Sequence, residues 1–298
     1  MNKGISSGIA AYFIWGFFPI YFKLLHDVQA LQIVAHRLVW SLVFLSIIIV
    51  VRKDWAGLKA GLKPRTLLIT LLAGCLLSVN WLIYVWGVNS GFILEASLGY
   101  FINPLVNVLL GVIFLRERLP LSKWIPVGLA ATGVLYLTLS YGRLPWIALA
   151  LAFTFGLYGL IKKLSPLNSL DGLTLETAIL FIPSLGYLLI VETQGTGAIG
   201  HMGLPITGLL AVSGVVTAIP LLLFATAARN IPLSTLGLLQ YIAPTLQFFI
   251  GVWIYNEEFT HERMIGFGII WLALLLFSLN GLYQRRKTLS APSIEVSS

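Results

Sequence analysis

The chain has 298 residues, of which 58% are hydrophobic and only 10% are charged, and its mean hydropathy is +0.93. Soluble domains carry about 25% charged residues, so this composition excludes a soluble globular protein and indicates an integral membrane protein in contact with lipids. The formal net charge of +8 is typical of basic cytoplasmic loops, and no nucleic-acid partner is expected. The single cysteine, Cys75, excludes an intramolecular disulfide framework and a cysteine zinc cluster.

Ten apolar segments are long enough to form transmembrane helices. About 20 apolar residues cross the roughly 30 Å of bilayer hydrocarbon. The first segment is a full-length span, so no cleavable signal peptide is predicted. The segments cover residues 4–24, 30–51, 66–88, 94–115, 121–141, 145–163, 171–191, 204–227, 233–254 and 262–283.

The distribution of basic residues predicts the orientation of the chain. If the N-terminus is cytoplasmic, fifteen Lys and Arg residues lie in the inner loops and tails, whereas Lys23, Arg143 and Arg263 lie outside. Cytoplasmic loops are enriched in Lys and Arg. The sequence therefore predicts a cytoplasmic N-terminus and a cytoplasmic C-terminus, with residues 285–298 forming a disordered tail.

A shift of 140 residues superposes Gly, Pro and Glu positions of the two halves of the chain. The matched pairs are Gly16 and Gly156, Gly74 and Gly214, Pro104 and Pro244, Gly111 and Gly251, Glu117 and Glu257, and Gly128 and Gly268. Each half holds five segments, an odd number, so the second half enters the membrane from the opposite side. The predicted fold is therefore an all-α integral membrane protein with ten transmembrane helices, arranged as two inverted five-helix repeats of residues 1–143 and 144–284. Secondary transporters are commonly built from such repeats, with the substrate site at the repeat interface.

Polar residues follow one face of the fourth segment and recur in the ninth. At about 100° per residue, the first stripe contains Tyr100, Asn103, Pro104, Asn107 and Gly111, and the second contains Gln240, Pro244, Gln247 and Gly251. Such amides either hydrogen-bond between packed helices or line a polar cavity. A proline on the same face leaves a carbonyl without its helical partner. This combination favours the cavity, and the two roles are compatible.

Ionisable residues lie inside the second and seventh segments. Arg37 lies about seven residues from the outer end of its segment, roughly 10 Å deep at 1.5 Å per residue. Intramembrane ionisable residues are functional candidates, although a long arginine side chain also reaches the lipid headgroups. His36 aligns with Glu176 at the 140-residue offset. His36, Glu176 and Glu95 are the candidates for proton coupling. The alternatives are a solvated position near the inner surface for Glu176 and a helix N-terminal role for Glu95.

Further polar and aromatic positions suggest a cavity shared by several segments. Asn80 and Tyr84 share one face of the third segment, with Trp81 alongside, and Trp15 belongs to an aromatic stripe of the first. Aromatic stripes also serve packing or an interfacial belt. The predicted helix breaks are Pro19, Pro104, Pro220 and Pro244.

No catalytic motif is present. The sequence lacks G-x-S-x-G, H-E-x-x-H, a Walker loop and clustered carboxylates. The four histidines lie in separate segments. An enzyme, a metal site and a cofactor are therefore not expected, and ATP-driven pumping by this chain alone is excluded.

The motifs "YFIWGFFPIYFK", "AHRLVW", "NWLIYVWGVN", "EASLGYFINPLVN" and "STLGLLQYIAPTLQF" together resemble the RarD branch of the EamA family, in the drug/metabolite transporter superfamily. The resemblance extends over about residues 5–284. It implies a permease of the bacterial inner membrane with ten helices in two inverted halves. Members are commonly named for chloramphenicol sensitivity or resistance, and relatives export amino acids and other metabolites.

Taken together, the residues predict a secondary transporter that works by alternating access, and the resemblance implies export. The substrate is a small polar or amphipathic metabolite, amino-acid-like or drug-like, whose carboxylate Arg37 would attract. The candidate substrate contacts are Trp15, His36, Arg37, Asn80, Trp81, Tyr84, Tyr100, Asn103, Asn107, Tyr158, Gln240 and Gln247. The alternatives are a passive facilitator without ion coupling and a non-transporting sensor or membrane enzyme. The sequence leaves open the substrate, chloramphenicol included, the direction, the proton coupling, and the choice between monomer and homodimer.

Overall fold

The computed structural model describes residues 3–53, 55–90, 92–140, 144–255 and 261–289. Every regular element within these ranges is an α-helix. The helices are α1 Lys3–Gly16, α2 Phe18–Lys23, α3 Ala30–Arg52, α4 Trp55–Gly61, α5 Pro64–Asn89, α6 Ile93–Phe114, α7 Leu121–Ser140, α8 Trp146–Leu164, α9 Ser169–Thr193, α10 Leu204–Asn230, α11 Leu233–Gln240, α12 Ile242–Ile254 and α13 His261–Leu289.

Each apolar segment predicted from the sequence coincides with one helix or with two consecutive helices. Seven stretches are long and apolar enough to cross a membrane, namely Lys3–Lys23, Ala30–Arg52, Pro64–Tyr84, Trp146–Leu164, Ser169–Thr193, Leu204–Asn230 and Leu233–Ile254. Shorter apolar stretches are Leu98–Phe114 and Met264–Asn280. The chain is therefore an all-helical, multi-pass membrane protein, whereas the count of ten spans and the inverted repeat stay predictions.

Two of the four predicted helix breaks are wrong, because the helices are continuous there. α6 runs through Pro104 and α10 runs through Pro220. Both prolines are buried between helices. A proline removes one N–H and leaves one carbonyl without its helical bond, but helices packed inside a membrane protein tolerate this because their neighbours hold the backbone.

The other two prolines lie next to real interruptions. Phe17 separates α1 from α2, and Pro19 lies in the first turn of α2. Tyr241 separates α11 from α12, and Pro244 follows in the first turn of α12. Proline suits a first helical turn because the N–H groups there have no helical acceptor. The interruption therefore precedes each proline by two or three residues.

The C-terminal helix is longer than the sequence predicts. α13 continues to Leu289, so the first residues of the predicted disordered tail are helical. Residues 290–298 of that tail, Arg143 and Glu257 lie outside the described residues.

Side chains join the helix ends at two opposite ends of the bundle. At one end, Lys163 in the last turn of α8 donates to the carbonyl of Ile231, directly after α10, at 2.6 Å. At the other, Gln32 near the start of α3 donates to the Thr196 carbonyl at 2.8 Å and accepts from the Ala198 N–H at 2.9 Å. We call these the basic end and the far end.

The helices of the two halves cross at short range through small residues. Gly214 of α10 lies against the backbone of Trp40 in α3, where a β-carbon would overlap with the Trp40 carbonyl. The Ser41 hydroxyl donates to the Gly214 carbonyl at 3.1 Å. Glycine permits close backbone approach between membrane helices, so this position determines how tightly α3 and α10 pack.

Candidate functional site

A cavity of about 240 Å³ lies among α1, α2, α3, α5, α6, α8, α10, α11 and α12. It has room for about eight water molecules at roughly 30 Å³ each, the size of a small metabolite. Nine predicted substrate contacts line it, namely Trp15, Arg37, Asn80, Trp81, Tyr84, Tyr100, Asn103, Gln240 and Gln247. His36, Asn107 and Tyr158 are not part of the lining. The cavity is nearer the far end, since Arg37 lies about two turns into α3.

Arg37 contributes the positive charge of the cavity wall. Its Nε donates to the Thr217 hydroxyl at 2.8 Å. The guanidinium carbon lies 4.6 Å from the ring centre of Trp81, 5.3 Å from that of Phe22 and 5.8 Å from that of Phe18. Cation–π contacts of this kind hold an arginine in place. Within the described ranges, Arg37 has no carboxylate at ion-pair distance.

Two amides of the lining bond to the backbone of neighbouring helices. Asn80 donates to the Leu151 carbonyl and to the Thr154 hydroxyl, both at 2.9 Å. Gln247 donates to the Trp15 carbonyl at 3.0 Å. Pro19 has no N–H with which to bond the carbonyl four residues before it, that of Trp15. Gln247 thus supplies the hydrogen bond that the proline removes.

The stripe on α6 serves both packing and the cavity. Asn107 is buried below the cavity, towards the basic end, and donates to Gln240 at 2.8 Å and to Asn103 at 3.3 Å. Asn103 and Gln240 themselves line the cavity. Asn107 therefore joins α6 to α11, while its two partners are accessible to a ligand.

At the floor of the cavity and directly below it, two buried polar atoms have no hydrogen bond among the described residues. They are the Tyr12 hydroxyl and Oδ1 of Asn107. The Tyr12 ring lies 6.3 Å from that of Phe224, edge to face, and the Tyr158 ring stacks on Phe224 with 6.0 Å between the ring centres. These three rings are fully buried and separate the cavity from the basic end.

A carboxylate joins α11 to the loop after α6 at the basic end. Glu117 accepts from the N–H groups of Leu233 and Ser234 at 2.6 and 3.0 Å, and from the Ser234 hydroxyl at 2.6 Å. The first N–H groups of a helix have no intrahelical partner, and the helix dipole favours an anion there. Glu117 therefore holds α11 against the end of α6 at the basic end.

Replacing Glu117 with alanine is expected to lower the free energy of unfolding by about 1 kcal/mol, the usual cost of losing an N-terminal cap. Thermal unfolding in detergent micelles measures this change. Arg118→Ala is the control, because the neighbouring Arg118 is exposed and its removal should leave the midpoint unchanged. Equal midpoints for the two variants would contradict the role assigned to Glu117.

The three candidates for proton coupling lie outside the cavity lining. Glu176 pairs with Lys162 at 2.8 Å, and both side chains are only 3% exposed, so the alternative of a solvated position for Glu176 is wrong. Glu95 is buried and accepts from the N–H of Ile147 at the start of α8 at 2.7 Å. Glu95 therefore lies in the first turn of its own helix, α6, and also accepts a hydrogen bond from the first turn of α8. His36 is buried in α3.

Several lining residues are absent from the sequence-based set. Phe18 and Phe22 of α2 flank the Arg37 guanidinium, and Phe155 of α8 lies 5.8 Å from Trp15. Phe18 and Phe22 are four residues apart, and Phe155 aligns with Trp15 at the 140-residue offset. Both signals were available in the sequence, but aromatic residues are so frequent in membrane helices that spacing alone does not distinguish a cavity from packing.

Known proteins resemble this chain in sequence and in fold. Residues 2–139 match the EamA-like transporter family. "Protein RarD" of Streptomyces exfoliatus is 46% identical over 96% of this chain and 91% of its own length. "Uncharacterized transporter YojE" of Bacillus subtilis (strain 168) is 45% identical over 97% of this chain and 98% of its own.

One solved crystal structure of a protein superposes with a TM-score of 0.72, over 93% of this chain and 98% of the other, at 17% sequence identity. At that identity the likeness concerns the fold alone. The two sequence relatives are at least 45% identical over nearly the whole chain, and one of them is named a transporter. The chain belongs to the EamA-like transporter family as a RarD-type permease, a multi-pass protein of the inner membrane.

Proposed function

We propose that the protein is a secondary transporter that exports a small polar or amphipathic metabolite by alternating access. The observation that carries this proposal is the cavity of about 240 Å³, which both halves of the chain line with amide and aromatic side chains. Ligand sites are concave, largely apolar and equipped with a few placed polar groups. A largely apolar cavity among membrane helices, with one arginine and four amide side chains in its lining, fits that description.

Contacts between residues 140 positions apart support an inverted repeat. The rings of Trp15 and Phe155 lie 5.8 Å apart, and the Tyr241 hydroxyl donates to the Phe101 carbonyl at 3.2 Å. Residues on a two-fold axis meet their own symmetry mates, so these pairs lie where such an axis would pass. Other matched pairs on the lining are Trp81 and Leu221, Tyr100 and Gln240, and Asn103 and Ala243.

The proposal places ten spans in the membrane, with repeats 1–143 and 144–284 and both termini in the cytoplasm. The basic end then faces the cytoplasm, in line with the excess of Lys and Arg in inner loops. The cavity lies nearer the outer surface, above the buried rings of Tyr12, Phe224 and Tyr158. Export would require opening the basic end, where Glu117 holds α11.

A passive facilitator is the second candidate. Among the described residues, the lining contains no carboxylate and no histidine, so a proton carrier in direct contact with the substrate is missing there. Proton coupling through Glu176 would act from outside the cavity, through its pair with Lys162. A pH gradient across proteoliposomes that leaves the uptake rate unchanged would identify the facilitator.

Filling the cavity is expected to stop transport without unfolding the protein. Ala243 lines the cavity on α12, so Ala243→Phe should lower solute uptake into proteoliposomes at least tenfold. The assay screens labelled amino acids, small carboxylates and drugs with the purified protein. Ile254→Phe on the same helix is the matched control, because Ile254 is 55% exposed and lies about three turns beyond Ala243, outside the cavity lining. Equal uptake by the two variants would contradict this location of the substrate path.

A further inference from the structure

We propose that the substrate is an organic anion, a small carboxylate with an aromatic or other flat apolar body and no amino group, whose carboxylate binds Arg37. This inference rests on the proposed transport function and specifies its substrate class. Three observations support it. Arg37 has no ion-pair partner among the described residues, aromatic rings surround its guanidinium, and the described lining has no carboxylate.

The guanidinium of Arg37 keeps most of its donors free for a ligand. An arginine side chain presents five N–H donors in a planar fork. Only Nε is used within the described ranges, by the Thr217 hydroxyl at 2.8 Å. The two terminal nitrogens therefore retain their donors at the cavity wall, in the geometry that binds a carboxylate through two parallel hydrogen bonds.

The charge itself has no partner in the part of the chain that the structure describes. Arg37 forms no ion pair there, and it is flanked by the rings of Trp81 and Phe22 at 4.6 and 5.3 Å. Charged residues inside membrane proteins pair with one another or mark a substrate pathway. An anionic substrate would provide the missing partner.

The rest of the lining suits an apolar body. The rings of Trp15 and Phe155 lie 5.8 Å apart, and those of Tyr84 and Tyr100 lie 6.0 Å apart, edge to face. Such rings accept a further aromatic group in offset or edge-to-face contact. With room for about eight water molecules, the cavity fits one ring with a short acid side chain.

The lining also argues against an amino group on the substrate. A carboxylate is the strongest partner for a buried ammonium ion, and the described lining has none. Asn103 and Gln240 offer only neutral amides, already bonded to Asn107. Arg37 aligns at the 140-residue offset with Thr177, so the second half adds no charge of its own at the matched position. The site is therefore selective for a net negative ligand.

The test compares four compounds of nearly equal size on the full-length protein in detergent and in proteoliposomes. They are 3-phenylpropionate, phenylalanine, 2-phenylethylamine and 3-phenyl-1-propanol, which are anionic, zwitterionic, cationic and neutral. Chloramphenicol, which is neutral, is a fifth. We expect 3-phenylpropionate to bind at least tenfold more tightly than the others, by quenching of tryptophan fluorescence, and to be taken up fastest.

Substitutions of Arg37 separate its charge from its hydrogen-bond fork. Arg37→Gln should weaken 3-phenylpropionate binding at least tenfold and leave 3-phenyl-1-propanol binding unchanged. Arg37→Lys keeps the charge but loses the fork, so a smaller loss is expected, and it serves as the second variant if Arg37→Gln does not fold. Arg52→Gln is the matched control, because exposed Arg52 lies in the last turn of the same helix.

The outcomes test the anion site and the proposed transport function separately. If the protein transports the neutral or cationic compounds equally well, and Arg37→Gln does not change this, the anion site is wrong while transport stands. If 3-phenylpropionate does not bind the wild type, the anion site is also wrong. If Arg37-dependent binding is found but no solute crosses the membrane, the anion site stands and the proposed transport function fails.

Discussion

Replacing Glu176 with leucine is expected to lower the free energy of unfolding by about 3–5 kcal/mol, the usual cost of removing one partner of a buried ion pair. Lys162 lies 2.8 Å from one carboxylate oxygen, and both side chains are 3% exposed. The Tyr158 hydroxyl donates to the other oxygen at 3.2 Å. The variant leaves the Lys162 ammonium group buried without a counterion, so the folded state carries its full desolvation cost.

A double replacement and an exposed pair provide the controls for this prediction. Lys162→Met combined with Glu176→Leu should be close to the wild type, because replacing a whole buried pair with apolar residues is often neutral or stabilising. Glu192 and His201 form a pair of the same 2.8 Å length with 51% and 58% of their side chains exposed. Glu192→Leu should therefore have little effect. Equal losses for Glu176→Leu and Glu192→Leu, measured by denaturant unfolding in micelles, would contradict the prediction.

Adding one methyl group at Gly214 is expected to lower the free energy of unfolding by about 3 kcal/mol, the upper part of the range for overpacked cores. The β-carbon of Gly214→Ala would overlap with the backbone of Trp40 and Ser41. A flexible side chain could move aside, whereas the α3 backbone can only move as a helix. The separation of α3 from α10 would also break the hydrogen bond from Ser41 to the Gly214 carbonyl.

Gly208→Ala provides the matched control on the same helix. A β-carbon at Gly208 meets nothing within 4 Å, and alanine is the better helix former by about 1 kcal/mol. The control should therefore be as stable as the wild type or more stable, in the same unfolding assay. If both alanine variants unfolded at the wild-type midpoint, the close crossing of α3 and α10 would be wrong.

The positions of the helices could be predicted from the sequence because a membrane-spanning helix requires an uninterrupted run of apolar residues, which is a local feature of the chain. The predicted segment 30–51 and the observed helix Ala30–Arg52 differ by one residue. The stripe on α6 was also predictable, since Tyr100, Asn103 and Asn107 share a face of one helix. A polar stripe identifies a face but not what that face meets, and only the fold shows that Asn107 bonds to Gln240 below the cavity.

Other features depend on contacts between distant parts of the chain. The proline pattern indicated weak points in four helices, but the packing of the neighbours decides whether a helix is interrupted, and α6 and α10 are not. The carbonyl that Pro19 leaves free on α1 is bonded by Gln247, more than 200 residues away. Glu176 was a candidate proton carrier because it is one of the few acidic residues inside a predicted span. The sequence does not reveal its pairing with Lys162, because that contact joins two different helices.

The floor of the cavity bears on how the basic end could open. The Tyr12 hydroxyl and Oδ1 of Asn107 are buried there and have no hydrogen bond among the described residues. Burying a polar atom without a hydrogen bond lowers the stability of the folded state by about 1–3 kcal/mol. If the basic end faces the cytoplasm, as proposed, water entering there would hydrate both atoms. This gain would offset the loss of the bonds that Glu117 makes at the basic end and that Asn107 makes to Gln240. The proposed alternating-access cycle needs closed and open forms of similar free energy, and this offset would bring the two together.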